Sequence, residues 1–213
     1  LVHAHHRSTW GVGSQSEPSR FLAELPEELL SIERDEGSRA RRAWGAKGGW
    51  QRFTHGIGIG DVNGDGKADI LEMNGWWEQP ASLDGDPEWK NHKVAFAPGA
   101  GSAQMFAYDV NGDGRNDVIT SLAAHGYGLA WYEQLAGKDA DGSPRFEQHT
   151  IMNKEPKENK YGVKFSQLHA IDLVDMDGDS VKDIVTGKRF WAHGPTGDAE
   201  PNAAAVLYWF KLV

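Results

Sequence analysis

The sequence predicts an all-β fold built from three similar repeats, and three observations lead to this prediction. Runs of β-branched and aromatic residues alternate with clusters of Gly, Pro and Asp, which is the pattern of strands joined by tight turns. An acidic stretch, GDVNGDGKADI, returns in similar form as YDVNGDGRNDVI and VDMDGDSVKDIV. The first aspartates of these stretches, Asp61, Asp109 and Asp175, are 48 and 66 residues apart. This spacing is typical of β-propeller blades, with an insertion in the second interval.

The segments between the acidic stretches predict the strands of each blade. Each acidic stretch leads into a short apolar run, which is followed by an aromatic strand: GWWEQ, GLAWYEQ and AVLYWFK. A fourth strand follows in the first two repeats, as WKNHKVAF and RFEQHTIM, with His92 and His149 in the same register. The third repeat has no such segment after its aromatic strand. We therefore predict two complete blades and a third that lacks its outer strand.

The acidic stretches predict three sites for a hard cation. Alternate residues of a tight loop can direct their oxygens at one centre, and Ca²⁺ prefers six to eight oxygen ligands. Glycines such as Gly64 and Gly66 allow the loop to turn with positive φ. The predicted side-chain ligands are Asp61, Asn63, Asp65 and Asp69 in the first loop, Asp109, Asn111, Asp113 and Asp117 in the second, and Asp175, Asp177, Asp179 and Asp183 in the third. The predicted backbone carbonyl ligands are those of Lys67, Arg115 and Val181.

In these residues the chain resembles the FG-GAP/VCBS-type repeats, the Ca²⁺-loop blades of integrin-like β-propellers. The resemblance covers roughly Phe53 to Val213. It implies four-stranded blades with one cation between the first and second strands of each, and so three Ca²⁺ ions per chain. Because such loops need abundant Ca²⁺, it also implies an extracytoplasmic origin for the repeats. The chain itself has no signal-peptide pattern.

Three blades are too few to close a propeller ring, since propellers typically have four to eight. We therefore expect residues 49–213 to form half of a ring that a second copy completes, giving six blades in a homodimer with two-fold symmetry. The missing outer strand would come from residues before Thr54, with AWGAKGGWQRF as one candidate, in the same chain or in the partner. A different alignment makes Arg52–His55 the approach to the first strand instead. The donor of the strand stays open.

Residues 1–48 have a different character. The segment PSRFLAELPEELLSIERDEG has a helical apolar stripe and acidic residues near its start, and Pro26 limits it to a short or interrupted helix. This part resembles the extreme C-terminal tail of a UvrD/PcrA-type DNA helicase, without any of the helicase ATP-binding or DNA-translocating motifs. The resemblance implies a fusion of two unrelated fragments. It transfers no helicase activity to this chain.

Composition narrows the classes of partner. The formal net charge is −9, which argues against nonspecific binding to nucleic acid. The chain has no cysteine and therefore no disulfide, so bound cations would take over the cross-linking role. No run of 18 apolar residues is present, so we expect no membrane partner.

Four histidines are the main candidates for chemistry. In a four-stranded blade, the connection into the first strand and the connection between the second and third strands lie on the face opposite the cation loops. His55 and His169 both stand six residues before a first cation aspartate, and His125 and His193 lie in connections between second and third strands. We name these four the histidine cluster. Lys164, Lys188 and Arg189 are expected on the same face.

These residues lead to two hypotheses. The first is a metal-dependent hydrolase of small arylesters or phosphotriesters, because imidazoles bind Zn²⁺ or a similar ion and titrate near neutral pH. Lys164 and Arg189 would stabilise negative charge, and Asp172 would act as a base or orient His169. The fold-level analogy is with six-bladed Ca²⁺ propellers of the paraoxonase-like group. The second hypothesis is a non-catalytic Ca²⁺-stabilised module that binds a glycan or a protein.

Overall fold

The computed structural model describes residues 6–9, 12–15, 55–85, 87–97 and 101–213. The chain divides into two compact units, residues 1–50 and residues 51–213. In the first unit, β1 (His6–Thr9) pairs with β2 (Val12–Gln15) as an antiparallel hairpin. The helix predicted from the segment PSRFLAELPEELLSIERDEG lies outside the described residues.

The described residues of the second unit are all-β and form three antiparallel sheets, in which neighbouring strands follow each other along the chain. The first sheet contains β3 (Ile57–Gly60), β4 (Asp69–Glu72), β5 (Gly75–Glu78) and β6 (Lys90–Lys93). The second contains β7 (Phe106–Tyr108), β8 (Asp117–Ser121), β9 (Leu129–Lys138) and β10 (Pro144–Met152). The third contains β11 (Ile171–Val174), β12 (Asp183–Lys188) and β13 (Val206–Phe210). A 3₁₀ turn, Pro156–Glu158, follows the second sheet.

The outer strands of the first two sheets are attached in the same way. His92 of β6 lies opposite Trp76 and stacks on its ring with centroids 4.1 Å apart, while its Nε2 lies 2.7 Å from Glu78. His149 of β10 stacks on Trp131 at 4.5 Å in the equivalent position. These two histidines therefore hold strands together. In the part of the chain that the structure describes, the third sheet has no such outer strand.

Two buried clusters of apolar side chains lie between neighbouring sheets. Leu71 and Trp76 of the first sheet pack with Val118 and Tyr132 of the second. The other cluster joins the second sheet to the third, and its fully buried members include Ile119, Leu129, Leu168 and Ile184. Burial of each large apolar side chain contributes about 1.5–3 kcal/mol. These contacts fix the sheets face to face.

A glycine allows the first strands of two sheets to approach closely. Gly58 of β3 forms a parallel bridge with Met105, and the Met105 amide donates to the Ile57 carbonyl at 3.2 Å. A Cβ on Gly58 would lie 2.1 Å from the Met105 carbonyl oxygen. Only a residue without a side chain fits there. Within the described residues, no helix is long and apolar enough to cross a membrane.

Candidate functional site

The structure brings the histidine cluster together from four separate connections. His55 lies just before β3 and His169 just before β11, while His125 is in the connection from β8 to β9 and His193 is in the connection from β12 to β13. In two groups, side-chain donor atoms of three residues lie within 4.8 Å of one another, as metal binding requires: His55, His125 and His169, and His125, His193 and Asp198. His125 belongs to both groups and is the centre of the cluster.

The contacts of His125 use both of its ring nitrogens. Its Nε2 lies 3.2 Å from Nε2 of His55, and its Nδ1 lies 3.2 Å from Nε2 of His169. Asp198 Oδ1 lies 3.1 Å from the same Nδ1. Asp198 Oδ2 is also 3.0 Å from His193 Nδ1. One carboxylate therefore joins two histidine rings.

The electrostatics of the site favour neutral imidazoles, which are the form that binds metal. Burial, followed by the nearby charges of His125, Arg189 and His55, lowers the pKa of His169 to about 4. Burial also lowers the pKa of His125, although Asp198 acts in the opposite direction. Burial alone would raise the pKa of the Asp198 carboxyl, but contacts with His193 and His125 outweigh it and hold that pKa below its usual value.

Gln167 holds three of these connections together. Its backbone N–H donates to the Gly126 carbonyl at 2.7 Å, and its side-chain Nε2 donates to the Ala199 carbonyl at 2.9 Å. Its own carbonyl accepts from the His169 amide at 2.8 Å. Gln167 is fully buried and has a positive φ of 63°. It therefore fixes the backbone beside His125, His169 and Asp198 at once.

A buried lysine holds the connection between β12 and β13. Lys188 is only 3% exposed, and its ammonium donates to the backbone carbonyls of Arg189, Phe190, Pro201 and Ala203 at 3.0–3.4 Å. Lys188, which the sequence predicts on the same face as the histidines, is therefore buried and uses its charge on backbone carbonyls. The lysine stabilises the loop that carries His193 and Asp198.

The other predicted charged residues occupy different surroundings. Arg189 is exposed, and its charge acts on His169. Lys164 is exposed and pairs with Glu200 at 2.8 Å. Asp172 is exposed on β11, where its Oδ1 accepts from the Leu173 amide at 2.8 Å, and it belongs to neither of the two histidine-containing groups.

The three acidic loops share one pattern of hydrogen bonds at their first position. Asp61 accepts from the amides of Gly64 and Gly66 at 2.7 and 2.8 Å. Asp109 accepts from Gly112 and Gly114, and Asp175 from Gly178 and Ser180, over 2.7–3.0 Å. At the third position, Asn63 and Asn111 accept from the amides of Asp65 and Asp113. The first carboxylate therefore shapes each loop.

Later positions of the loops contact cationic side chains of the protein. Asp65 pairs with Lys67 at 2.6 Å, and Asp113 contacts Arg115. In the third loop Lys211 contacts Asp177 and lies 3.1 Å from Asp179. The side chains of Lys67 and Arg115, whose carbonyls are predicted ligands, thus neutralise carboxylates of the same loops. The hydrogen bond of the Val181 amide to Asp179 is 2.9 Å long.

The ninth position of each loop is a buried aspartate that joins the loop to its sheet. Asp69 accepts from the Val62 amide and from the Gln79 amide, each at 2.9 Å. Asp117 and Asp183 make the equivalent pairs of bonds, to Val110 and Gln134 and to Met176 and Leu212. Burial raises the pKa of Asp69 and Asp117, although their backbone donors act in the opposite direction.

The donor sets of these loops suit a hard cation. Carboxylate and amide oxygens are the ligands that Ca²⁺ prefers. In the third loop, carboxylate oxygens of Asp175, Asp177 and Asp183 lie within 4.8 Å of one another. In the first two loops an ion would compete with Lys67 and Arg115 for the fifth-position carboxylate.

Sequence reasoning missed Asp198 and Gln167. Asp198 follows His193 by five residues in a Gly- and Pro-containing loop, HGPTGDAE. An acidic residue this close to a candidate histidine is a signal that could have identified it as a further ligand. Gln167 has no such signal, because its role depends on backbone groups of two other loops. No model of a known protein family matches the chain, and no curated protein matches it either.

Proposed function

We propose that the protein is a metal-dependent hydrolase of small esters, with the histidine cluster as its metal site. The observation that carries this proposal is the convergence of His55, His125 and His169 with Asp198 from four connections. Three histidines, with or without a carboxylate, are a donor set typical of Zn²⁺. An ion held there would polarise an ester or phosphoryl oxygen and lower the pKa of water.

The residues of the chain have separate roles in this proposal. Asp198 contacts the Nδ1 of His125 and the Nδ1 of His193, and so keeps the two rings beside the site. His169, with its low pKa, stays neutral and keeps its lone pair for the ion at neutral pH. The exposed Arg189 guanidinium supplies positive charge near His169, where it would stabilise the developing negative charge of an arylester or phosphotriester.

Lys164 is less well placed than Arg189 to stabilise negative charge on a substrate. Its ammonium is paired with Glu200 at 2.8 Å, so it would have to leave that partner to reach a substrate. Asp172 is not required by the proposed chemistry, because the carboxylate that contacts the histidines is Asp198.

The test is a screen of chromogenic carboxyl, phosphate and sulfate esters with protein loaded with Zn²⁺. We expect turnover that falls at least about 100-fold in His55→Ala and in His169→Ala, as expected for loss of a metal ligand. The matched control is His149→Ala. His149 lies in β10, the outer strand of the second sheet, where it stacks on Trp131 and is not part of the histidine cluster. Turnover that survives both ligand substitutions in folded protein would refute the proposal.

We further propose that the three sheets are blades of a partial β-propeller whose acidic loops bind Ca²⁺. Three meander sheets with matching registers support it: Ile70 pairs with Trp77, Val118 with Tyr132, and Ile184 with Phe210. The parallel bridge between Gly58 and Met105 supports it as well, because first strands of neighbouring blades lie side by side.

A second copy of the chain is the proposed partner. By register, Trp209 is the counterpart of Trp76 and Trp131, which His92 and His149 cover in the first two sheets. Trp209 is 44% exposed, whereas Trp76 is fully buried. The third sheet therefore offers an edge and an aromatic ring to an outer strand, which a partner chain would provide in a six-bladed ring.

The dimer is tested by mass in solution. We expect about 47 kDa, twice the 23.4 kDa of one chain, by analytical ultracentrifugation with Ca²⁺ present. Trp209→Asp should shift the mass toward the monomer, while Leu83→Asp, which replaces another exposed apolar residue, should not. A monomeric wild-type chain at all concentrations would exclude the homodimer.

A glycan-binding module is the second candidate function. An open surface pocket of about 440 Å³ is lined by Trp77 and Trp89 together with Glu88, Lys90 and Asn91. Aromatic rings beside polar side chains suit a sugar, since the rings provide apolar contact and the polar groups bind hydroxyls. Binding to a glycan array that Trp89→Ala abolishes, without ester turnover, would favour this function over the hydrolase.

A further inference from the structure

We propose that the histidine cluster binds two divalent transition-metal ions, one on each side of the His125 ring. This inference rests on the proposed metal site and adds its stoichiometry and the residues that form its two halves. His55, His125 and His169 hold the first ion. His125, His193 and Asp198 hold the second.

The separations between donor atoms agree with shared ions. Zn²⁺ binds nitrogen and carboxylate oxygen at about 2.0–2.2 Å in tetrahedral geometry, so two ligands of one ion lie about 3.3 Å apart. His55 Nε2 and His125 Nε2 are 3.2 Å apart. On the other side of the ring, Asp198 lies 3.1 Å from His125 Nδ1 and 3.0 Å from His193 Nδ1. Each nitrogen of His125 thus has a neighbour at ligand spacing. His169 Nε2 lies 3.2 Å from Nδ1, so its ring would have to shift toward Nε2 to bind the first ion.

Hydrogen bonds alone satisfy these contacts poorly. A neutral imidazole has one N–H and one lone pair, so each nitrogen is either a donor or an acceptor. His125 Nδ1 has two neighbours, Asp198 Oδ1 and His169 Nε2, and Nε2 faces His55. If Nδ1 donates, it must divide one hydrogen between two acceptors. If it accepts, Asp198 Oδ1 loses that donor.

The buried charge of Asp198 also favours a bound ion. Asp198 is a carboxylate whose side chain is only 6% exposed. Its described contacts at this site are with His125 and His193, and no lysine or arginine among the described residues pairs with it. Buried charges are normally paired or coordinate metals. An ion between the two rings would neutralise this carboxylate.

The sharing of one histidine makes the two ions dependent on each other. Ions at Nε2 and at Nδ1 of the same ring require His125 to give up its ring proton. Loss of His55 should therefore remove one ion, loss of Asp198 and His193 should remove the other, and loss of His125 should weaken both.

The experiment counts bound ions in the full chain. The parent protein carries Ala at His3, His5 and His6, because the sequence HAHH can itself bind metal, and excess Ca²⁺ is present to occupy the acidic loops. Equilibrium dialysis against Co²⁺ and elemental analysis then give the ratio of Co²⁺ to chain. We expect two ions per chain in the parent and in the control His149→Ala.

The variants assign the two ions. His55→Ala and the double variant His193→Ala/Asp198→Ala should each bind one Co²⁺, and His125→Ala should lose at least tenfold in affinity for both. A ratio of one or zero in the parent overturns the inference, as does a ratio of two in the double variant. The parent ratio is decisive even if a variant fails to fold, which near-UV circular dichroism would reveal.

The count of bound ions and the ester screen test the two proposals independently. Two bound ions without ester turnover would refute the hydrolase and support the two-ion site. Ester turnover with a single bound ion would support the hydrolase and refute the two-ion site.

Discussion

At the residue scale, one tyrosine shows how a buried polar atom is satisfied in this molecule. Tyr132 is 4% exposed, and its hydroxyl donates to the Phe96 carbonyl and contacts Gln148 Oε1 at 3.1 Å. Burial raises the pKa of Tyr132 to about 12. The folded protein therefore keeps this hydroxyl protonated at pH values where an unfolded tyrosine ionises.

Replacement of Tyr132 by Phe should destabilise the protein and flatten its alkaline transition. The variant leaves the Phe96 carbonyl without this donor, so we expect a loss of about 1–3 kcal/mol at pH 8. Because the folded pKa is raised, the contribution of the wild-type tyrosine is present below about pH 10 and lost as pH rises through about 12.

Urea unfolding of both proteins from pH 8 to pH 12 measures this difference. The wild type should lose more stability than Tyr132→Phe between pH 10 and 12. The exposed Tyr161 provides the control, as Tyr161→Phe should follow the wild type. Parallel curves for wild type and Tyr132→Phe would contradict the prediction.

Lys188→Met tests a second residue that stabilises the fold through buried hydrogen bonds. Methionine has a similar length but no donor, so the backbone carbonyls that Lys188 contacts in the loop after β12 lose a shared partner. We expect a loss of about 1.5–3 kcal/mol in urea unfolding. Metal affinity of the histidine cluster should fall too, because this loop carries His193 and Asp198.

The control for this lysine is Lys157→Met. Lys157 is exposed in the 3₁₀ turn, and its substitution should change stability by less than about 0.5 kcal/mol. Equal effects of the two substitutions would show that Lys188 does not hold the loop.

At the element scale, the approach of β3 to the segment around Met105 depends on the absence of a side chain. Three glycines of this region, Gly56, Gly58 and Gly60, have neighbours within 3 Å of where a Cβ would stand. In a strand, a glycine is otherwise a weak choice. At Gly58 the close approach of the Met105 backbone explains it.

Gly58→Val should therefore be more destabilising than its position in a strand suggests. The new side chain would meet the Met105 carbonyl oxygen at 2.1 Å, a backbone atom that cannot move aside cheaply. We expect a loss of at least about 1–3 kcal/mol in urea unfolding. Ile59→Ala is the control, since Ile59 is 72% exposed. A stable Gly58→Val protein would show that the two strands do not lie this close.

The repeated elements were predictable because their signals are local. Alternating aromatic and apolar residues and the Asp–Gly loops predict the eleven strands of residues 55–213 as an all-β unit, and the structure confirms that class. The acidic residues at the ninth position looked like further cation ligands. Their backbone bonds to Val62, Val110 and Met176 were not predictable, because each depends on the register of a whole sheet.

At the scale of the whole molecule, the acidic loops concentrate negative charge in three places. Lys67, Arg115 and Lys211 already neutralise part of it. A bound Ca²⁺ would replace these contacts with ligand bonds to a divalent ion, and would stabilise the folded chain because an unfolded loop has no assembled site.

Removal of Ca²⁺ should lower the melting temperature. At a free Ca²⁺ concentration 100 times Kd, each site adds about 2.7 kcal/mol to the free energy of unfolding. Differential scanning calorimetry with Ca²⁺ and with a chelator measures this effect. Mg²⁺ at the same concentration is the control and should raise the melting temperature less, since it demands a stricter octahedral geometry. Identical melting temperatures with Ca²⁺ and chelator would refute Ca²⁺ binding by the loops.

The strand pattern, the repeat spacing and the three acidic loops follow from the amino-acid sequence alone, because each depends on residues that are near one another in the chain. The set of residues that meet at the histidine cluster follows from the packing of the sheets and is not visible in the sequence. Asp198 contacts His125 across 73 residues of sequence, and Lys188 is a buried donor to backbone carbonyls that are up to 15 residues away. Those contacts depend on how three sheets pack, and packing is a property of the whole chain that no local pattern encodes.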